Sequence, residues 1–387
     1  MKQAFLIFSL LTLLALTSSA AIAQNGGYLV TNDNNASSNS ATAFTVTSDG
    51  KMSIYKTLQT GGTGLGGGYF AEVQTSIESN AHCLFVADSG SNDIAAFEGP
   101  TFKRVSPNFS NSQLQGNLYG IALAVDPAGK FLYTAWTASQ NIAVLAIASD
   151  CSLSLVGTPI SQPDALEGLT VTHNGKILGA SYPNIGGVQA YNISSTGALT
   201  PLGPQLSFNS AIADCASVGC YPSGQDATDD GLYWVWGNGT LAGPYTLSAK
   251  LTSTGFTNAA LQSYDSKVVN LEAPWFSPQA AQTHSGNLYI GASGFGPGNP
   301  AGIIVATFNN GTITYDSEVV NTAALFAGAI QTVGTMGTGS PLVQIVEESE
   351  AILISYTVDG TTLRQASTLP DPKSPGTFSM AAFPKRP

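Results

Sequence analysis

Apolar and polar residues come in short alternating blocks, and one block shows the unit in full. It is Val125 to Ile147, VDPAGKFLYTAWTASQNIAVLAI. Asp126-Pro127-Ala128-Gly129 is a turn signal, because Pro presets φ at the second position and Gly tolerates positive φ. Phe131 to Trp136 is apolar and aromatic, and short enough to be a strand. Thr137 to Asn141 is a small polar loop. Ile142 to Ile147 reads as a second strand, Leu153 to Val156 as a third, and Tyr119 to Val125 as one that precedes the turn. No helical period separates these strands.

The unit recurs. Its parts reappear at Leu84–Phe97, Thr172–Ile193, Thr283–Phe308 and Pro341–Val358, with weaker copies at Tyr28–Val46 and Gly231–Leu251. Seven copies align on Leu29, Phe85, Leu132, Leu178, Tyr233, Tyr289 and Val343, spaced by roughly 45 to 55 residues. The pattern predicts an all-β, seven-bladed β-propeller of four-stranded antiparallel blades. The first copy lacks its innermost strand, and Thr377 to Phe383 supplies a candidate. If that tail pairs with the first copy, the ring closes and leaves no open edge. The blades are expected at about 28–60 plus the tail, 68–105, 118–157, 166–203, 222–262, 274–320 and 328–369. The Gly-rich run 61–68 has no Lys-Ser/Thr and no following helix, so it reads as a flexible link and not a phosphate loop.

The first residues stand outside this pattern. Lys2, the apolar run Ala4–Leu16 and the small-x-small site Ala21-Ile22-Ala23 read as a secretory signal peptide, residues 1–23, with one propeller domain over 24–387. A soluble periplasmic or extracellular protein is expected, not inserted in the membrane after cleavage, and monomeric. The net charge of −11 disfavours nucleic acid and anionic membrane surfaces. Export permits disulfides. Cys215 and Cys220 can close a small loop. Cys83 and Cys151 fall in turns on one face of adjacent blades and can staple them; buried free thiols are the alternative. No CxxC or Cys/His spacing indicates a metal, and no cofactor is expected.

Ligand sites of such rings lie where links enter the innermost strands and where loops join second to third strands. Strand entries place Tyr69, Glu72, Tyr119, Glu167, Asp226, Trp275 and Gln331 there. The loops add Asn32, Asp33, Asp88, Asn92, Asp93, Trp136, Tyr182, Trp236, Glu347, Glu348 and Glu350. Glu167 and Asp226 are the candidate catalytic residues, since a carboxylate in a partly dry mouth can have a raised pKa; solvated loop acids are the other reading. Tyr69, Tyr119, Trp136, Tyr182, Trp236, Trp275 and Gln331 are candidate ligand-binding residues, with blade packing as the alternative for the aromatics. His82, His173 and His284 fall at or near turns on the opposite end, which speaks against a histidine base. No Ser-His-Asp spacing or G-x-S-x-G occurs.

The pieces VDPAGKFLYTAW, NIAVLAI, LFVADSGSNDIAAF and NISSTGALTPLG resemble the lactonase family of seven-bladed propellers, the 6-phosphogluconolactonase-like and carboxymuconate-cyclase-like proteins. The resemblance spans nearly the whole chain after residue 23. It implies the propeller fold and, in the enzymatic members, lactone chemistry by a mouth histidine, arginines and an acid. Glu167 matches the acid. The strand entries NLYGIALAV and LEGLTVT carry no histidine. The three arginines, Arg104, Arg364 and Arg386, fall in outer strands or at the terminus. Phosphorylated or dicarboxylate substrates, which call for a mouth arginine, are therefore disfavoured. The chain reads as a binding or interaction module for a small neutral ligand. The alternatives are a hydrolase of a neutral lactone or sugar-derived ester, and a scaffold for a protein partner.

Overall fold

In a computed structural model, the described residues are 27–66, 76–116, 120–238, 245–263, 281–282, 286–292, 301–321, 326–332, 342–347, 351–371 and 379–384. They form seven antiparallel sheets. The first contains β1 (Tyr28–Asn32), β2 (Ser40–Val46) and β3 (Met52–Gln59), and the second β4 (Ile77–Ser79), β5 (Cys83–Asp88), β6 (Asp93–Glu98) and β7 (Lys103–Ser110). The third holds β8 (Ile121–Val125), β9 (Phe131–Trp136), β10 (Asn141–Ile147) and β11 (Leu153–Ser161). In the fourth, β12 (Gly168–Val171), β13 (Ile177–Tyr182) and β14 (Gly187–Ile193) are followed by an outer strand broken into β15 (Leu199–Pro201) and β16 (Leu206–Ser207), both on β14. The fifth is β17 (Pro222–Ala227), β18 (Tyr233–Asn238), β19 (Tyr245–Thr252) and β20 (Gly255–Ser263); the sixth is β21 (Ala281–Gln282), β22 (Asn287–Ala292), β23 (Ala301–Asn309) and β24 (Thr312–Asn321). The seventh is β25 (Phe326–Thr332), β26 (Leu342–Glu347), β27 (Ala351–Asp359) and β28 (Thr362–Pro370), and the chain ends with β29 (Met380–Phe383).

That last strand returns to the first sheet, whose order is β29-β1-β2-β3. Tyr28 stands opposite Phe383 and Thr31 opposite Met380. The expected closure by the tail is what the structure shows. Within the expected stretch Thr377–Phe383, residues 377 and 378 lie outside the described set.

Burial explains why each blade reads as it does. Inner and second strands such as β5 and β8 are buried along their whole length, because both faces meet neighbouring blades. Outer strands such as β3 and β11 mix exposed and half-buried positions. The pair of third and fourth strands carries a bulge in six blades. One extra residue there increases the local twist, which fans the outer edge of each blade. The turn expected at Asp126 to Gly129 is present. Asp126 Oδ1 accepts the backbone N–H of Lys130 and Phe131, each at 2.6 Å, and Gly129 takes φ 68°.

The cores lie between blades. Leu132, Trp136, Leu145 and Cys151 pack against Phe85, Ile94 and Cys83 of the preceding blade. Between the fourth and fifth blades, the indole of Trp234 lies over Gly179, where an added Cβ would fall 2.3 Å from its ring. Gly179→Ala is expected to destabilise the protein by about 2 kcal/mol or more through overpacking, measured by urea denaturation; an unchanged midpoint would contradict this contact.

Both disulfides form. Cys83–Cys151 joins the second and third blades, and Cys215–Cys220 closes a short loop. The short loop belongs to an insertion between the fourth and fifth blades that the strand pattern does not foretell. It carries helices α1 (Phe208–Ala211) and α2 (Ala213–Val218). The Gly-rich run is also more ordered than a flexible link over its described part. Gly64 N–H donates to Asn35 O, Gly66 N–H to Asn34 O, Leu65 N–H to Asn34 Oδ1 and Thr63 N–H to Ser91 Oγ.

Candidate functional site

Among the expected strand entries, Glu167 is the one the described residues place as such. It stands just before β12, and its N–H donates to Ser181 O at 3.1 Å across the blade. The residue is half-buried. Burial pushes its carboxyl up to about 7, because a dry surrounding disfavours the charged form. Next to it, Gly168 leaves room for two side chains. An added Cβ there would lie 3.0 Å from Ser181 Oγ and 3.5 Å from Gln225 Cδ. Ser181 is fully buried, and its hydroxyl makes no hydrogen bond among the described residues. Gln225 Nε2 donates to Gly179 O at 2.9 Å, and its Oε1 accepts from Trp236 Nε1 at 2.7 Å. A carboxyl raised toward neutrality can donate to, or accept from, a hydroxylated ligand.

Asp226 sits elsewhere. β17 begins at Pro222, so Asp226 is near its far end, opposite Val235. Thr170 Oγ1 donates to Gln225 O at 3.1 Å, which sets Asp226 beside Thr170. Glu167 is three residues nearer the entry, or about 10 Å at the rise of a strand. The two residues therefore stand at different depths along the inner strands. Gln331 likewise lies near the far end of β25, opposite Val343, and not at its entry.

The aromatic candidates divide. Tyr69, Tyr119 and Trp275, with Glu72, lie outside the described residues. Trp136, Tyr182 and Trp236 are fully buried. Trp136 Nε1 donates to Thr134 Oγ1, the Tyr182 hydroxyl donates to Gln162 Oε1, and the ring of Trp236 meets Phe208 and Phe256. Expected as stacking faces, these three rings are packing residues in this structure, with no face open to a ligand.

Asp33 and Asp88, two of the loop acids, are not solvated either. Asn32, Asp33 and Asp88 are fully buried. Asn39 Nδ2 bridges Asn32 Oδ1 at 2.9 Å and Asp88 Oδ1 at 2.7 Å, and Asn32 Nδ2 reaches Ala87 O at 2.8 Å. Asp93 accepts from Asn108 Nδ2 at 2.5 Å, and Asn92 Oδ1 accepts Gly116 N–H at 2.7 Å. These groups knit the first two blades together. Burial pushes Asp88 up to about 7, although Asn39 donates to it, and Asp93 adds to the rise. Glu347 ends β26, while Glu348 and Glu350 lie outside the described residues.

The remaining candidates are peripheral. His173 Nδ1 lies 3.3 Å from Asp229 Oδ1, between the turns of the fourth and fifth blades. His82 Nε2 lies 3.6 Å from Glu98, and His284 is outside the described residues. Arg104 and Arg364 are in the outer strands β7 and β28. Among the described residues one group of three metal-ligating side chains converges, His82, Cys83 and Cys151, and its sulfurs are joined as a disulfide.

Sequence reasoning missed Ser181, Gln225 and the buried amide network. The signal available was the repeated amide or acid that closes an apolar second strand, Asn32 in one copy and Asp88 in the next.

No family model matches the chain, and no curated protein matches it. Solved structures do. A protein from Lactobacillus plantarum superposes with a TM-score of 0.64 at 16% identity, covering 92% of this chain and 98% of that one. A putative 6-phosphogluconolactonase from Bacteroides fragilis gives 0.62 at 15% identity, covering 92% and 97%. A periplasmic gluconolactonase from Pseudomonas aeruginosa gives 0.59 at 12% identity, covering 91% and 98%. At these identities the likeness is one of architecture: the chain has the fold of the seven-bladed lactonase-like propellers.

Proposed function

We propose that this is an exported propeller that binds a small neutral lactone or sugar derivative at the channel mouth, with Glu167 as the central polar contact. The observation that carries it is the Glu167 carboxyl at the entry of β12, raised to about 7 by burial. A neutral, hydroxyl-bearing ligand suits such a carboxyl. The described mouth offers no arginine for a phosphate or dicarboxylate. The name of one similar structure, a periplasmic gluconolactonase, supports the same ligand class. Two disulfides and the apolar run at Ala4–Leu16 support export. Among the described residues no helix is long and apolar enough to cross a membrane.

The test is calorimetric titration with a panel of neutral aldonolactones and their phosphorylated counterparts. Neutral members are expected to bind wild type, and Glu167→Gln to weaken them about tenfold, the loss of one charge-assisted contact. Binding of the phosphorylated members alone would overturn the reading.

A second reading has its own support in the same carboxyl. A group that titrates near 7 is poised for general acid–base work, so lactone hydrolysis at Glu167 is the alternative. If wild type opens a lactone, Glu167→Gln is expected to lower kcat by about 100-fold or more. Turnover unaffected by the substitution would remove Glu167 from the chemistry.

A further inference from the structure

Two large apolar side chains stand open to water at the entry end of the fourth and fifth blades. Among the described residues five such side chains are exposed: Ile54, Tyr55, Ile185, Tyr221 and Leu232. Ile54 and Tyr55 lie on the outer strand β3, and Leu232 lies in the turn from β17 to β18, at the far end of the inner strand. Ile185, 39% exposed, ends the turn Pro183–Ile185 between β13 and β14; Tyr221, 43% exposed, directly precedes β17. One is a loop from second to third strand and the other an inner-strand entry, the two kinds of segment that build the channel mouth.

Register sets both beside Glu167. Thr170 Oγ1 donates to Gln225 O, so β12 and β17 lie side by side at that point. Glu167 is three residues before Thr170, and Tyr221 is four before Gln225. One of those four is taken up by the bulge between Ser223 and Gln225, so the Tyr221 backbone stands level with that of Glu167. On the other side, Glu167 N–H donates to Ser181 O, and the chain reaches Ile185 four residues later. The insertion 208–220 fixes the approach to Tyr221. Phe208 N–H donates to Gly186 O at 2.8 Å, and the Phe208 ring packs on Trp236 with centroids 5.4 Å apart. Asn209 Oδ1 accepts Cys220 N–H at 2.7 Å, and Cys220 is joined to Cys215. The Cys220 carbonyl lies against Gly186, where an added Cβ would fall 2.7 Å from it. The Tyr221 ring lies back over Gly219, whose added Cβ would fall 3.4 Å from Cε2. Tyr221 is thus bracketed by a cross-linked residue and by the buried start of β17. A ring presented this way loses little conformational freedom on taking a partner.

We propose that Tyr221 and Ile185 receive the C–H face of a ligand ring whose hydroxyls meet Glu167, so that the mouth selects closed-ring neutral lactones over open-chain polyols. The assignment rests on the lactone-binding role proposed for Glu167. A sugar-like ring has a flat C–H face and a polar rim. The face suits an aromatic and an aliphatic side chain, and the rim suits a carboxyl. An open-chain polyol carries the same hydroxyls but no fixed apolar face, so it forfeits the contact with Tyr221.

The test compares freshly dissolved gluconolactone with glucitol, its open-chain polyol, by calorimetry on the full chain. Wild type is expected to bind the lactone more tightly than glucitol. Tyr221→Ala is expected to weaken the lactone about tenfold, the loss of one aromatic contact, and to remove the preference for the ring. Tyr221→Phe keeps the ring and is expected to keep the affinity. Equal lactone affinity in wild type and Tyr221→Ala overturns the assignment. So does a loss in Tyr221→Phe as large as that in Tyr221→Ala, which would give the contact to the hydroxyl. Wild type that binds glucitol as tightly as the lactone overturns it too. A lactone affinity lowered by Glu167→Gln but not by Tyr221→Ala removes Tyr221 while the role of Glu167 stands. No lactone binding by wild type removes both.

Discussion

Deletion of residues 372–387 is expected to leave a chain that no longer melts cooperatively. The deletion removes β29, whose residues Met380, Ala381, Ala382 and Phe383 are all buried. Returning them to water forfeits about 5 kcal/mol by area bookkeeping, which is comparable to the whole stability of a typical domain. The damage continues into the neighbours. β1 loses its partner along Tyr28 to Thr31, and the Ser79 hydroxyl loses Ala382 O. Phe102 loses the Phe383 ring 5.0 Å away. The single change Phe383→Ala is a milder version, expected to cost about 3 to 5 kcal/mol. Circular dichroism melts check both. A truncated chain that melts sharply within a few degrees of wild type would mean that the ring stands without its closing strand.

The bridge between the second and third blades carries the next largest effect. Replacing Cys83 and Cys151 together by serine is expected to lower stability by about 4 kcal/mol, the chain-entropy value for a loop of this length. The two residues are 68 positions apart, against 5 for Cys215 and Cys220. Serine replacement of the short pair is therefore expected to cost about half as much. Urea denaturation of the two double variants measures the difference directly. A larger loss from the short pair would show that native packing around α2, and not restriction of the unfolded chain, sets the contribution of each bridge.

The architecture was legible because each copy repeats the same local signals. The apolar run Phe131–Trp136 predicts a strand and is β9, and Asp126 to Gly129 forms the turn its residues predict. The mouth was less legible, for reasons that are physical. β9 and β18 are packed on both faces, so no alternation reveals which way Trp136 or Trp236 points; both sit in inter-blade cores. Asn32, Asp33 and Asp88 look like solvated loop residues from their polarity. They are buried because neighbouring blades converge there, a contact between residues distant in sequence. Asp226 reads as a strand entry because Pro222-Ser223-Gly224 reads as a link. Pro and Gly are poor strand formers, yet β17 starts at Pro222 and carries Asp226 inward. Glu167 escaped these errors because β12 begins directly after it.

The shared first blade also orders events during synthesis. β1 is among the first segments to be made, yet its inner neighbour is the last strand of the protein, and Thr31 and Asp371 are 340 positions apart. Until the final residues emerge, the nascent chain holds an unfinished sheet. The circle cannot lock before the residues of β29 have been made.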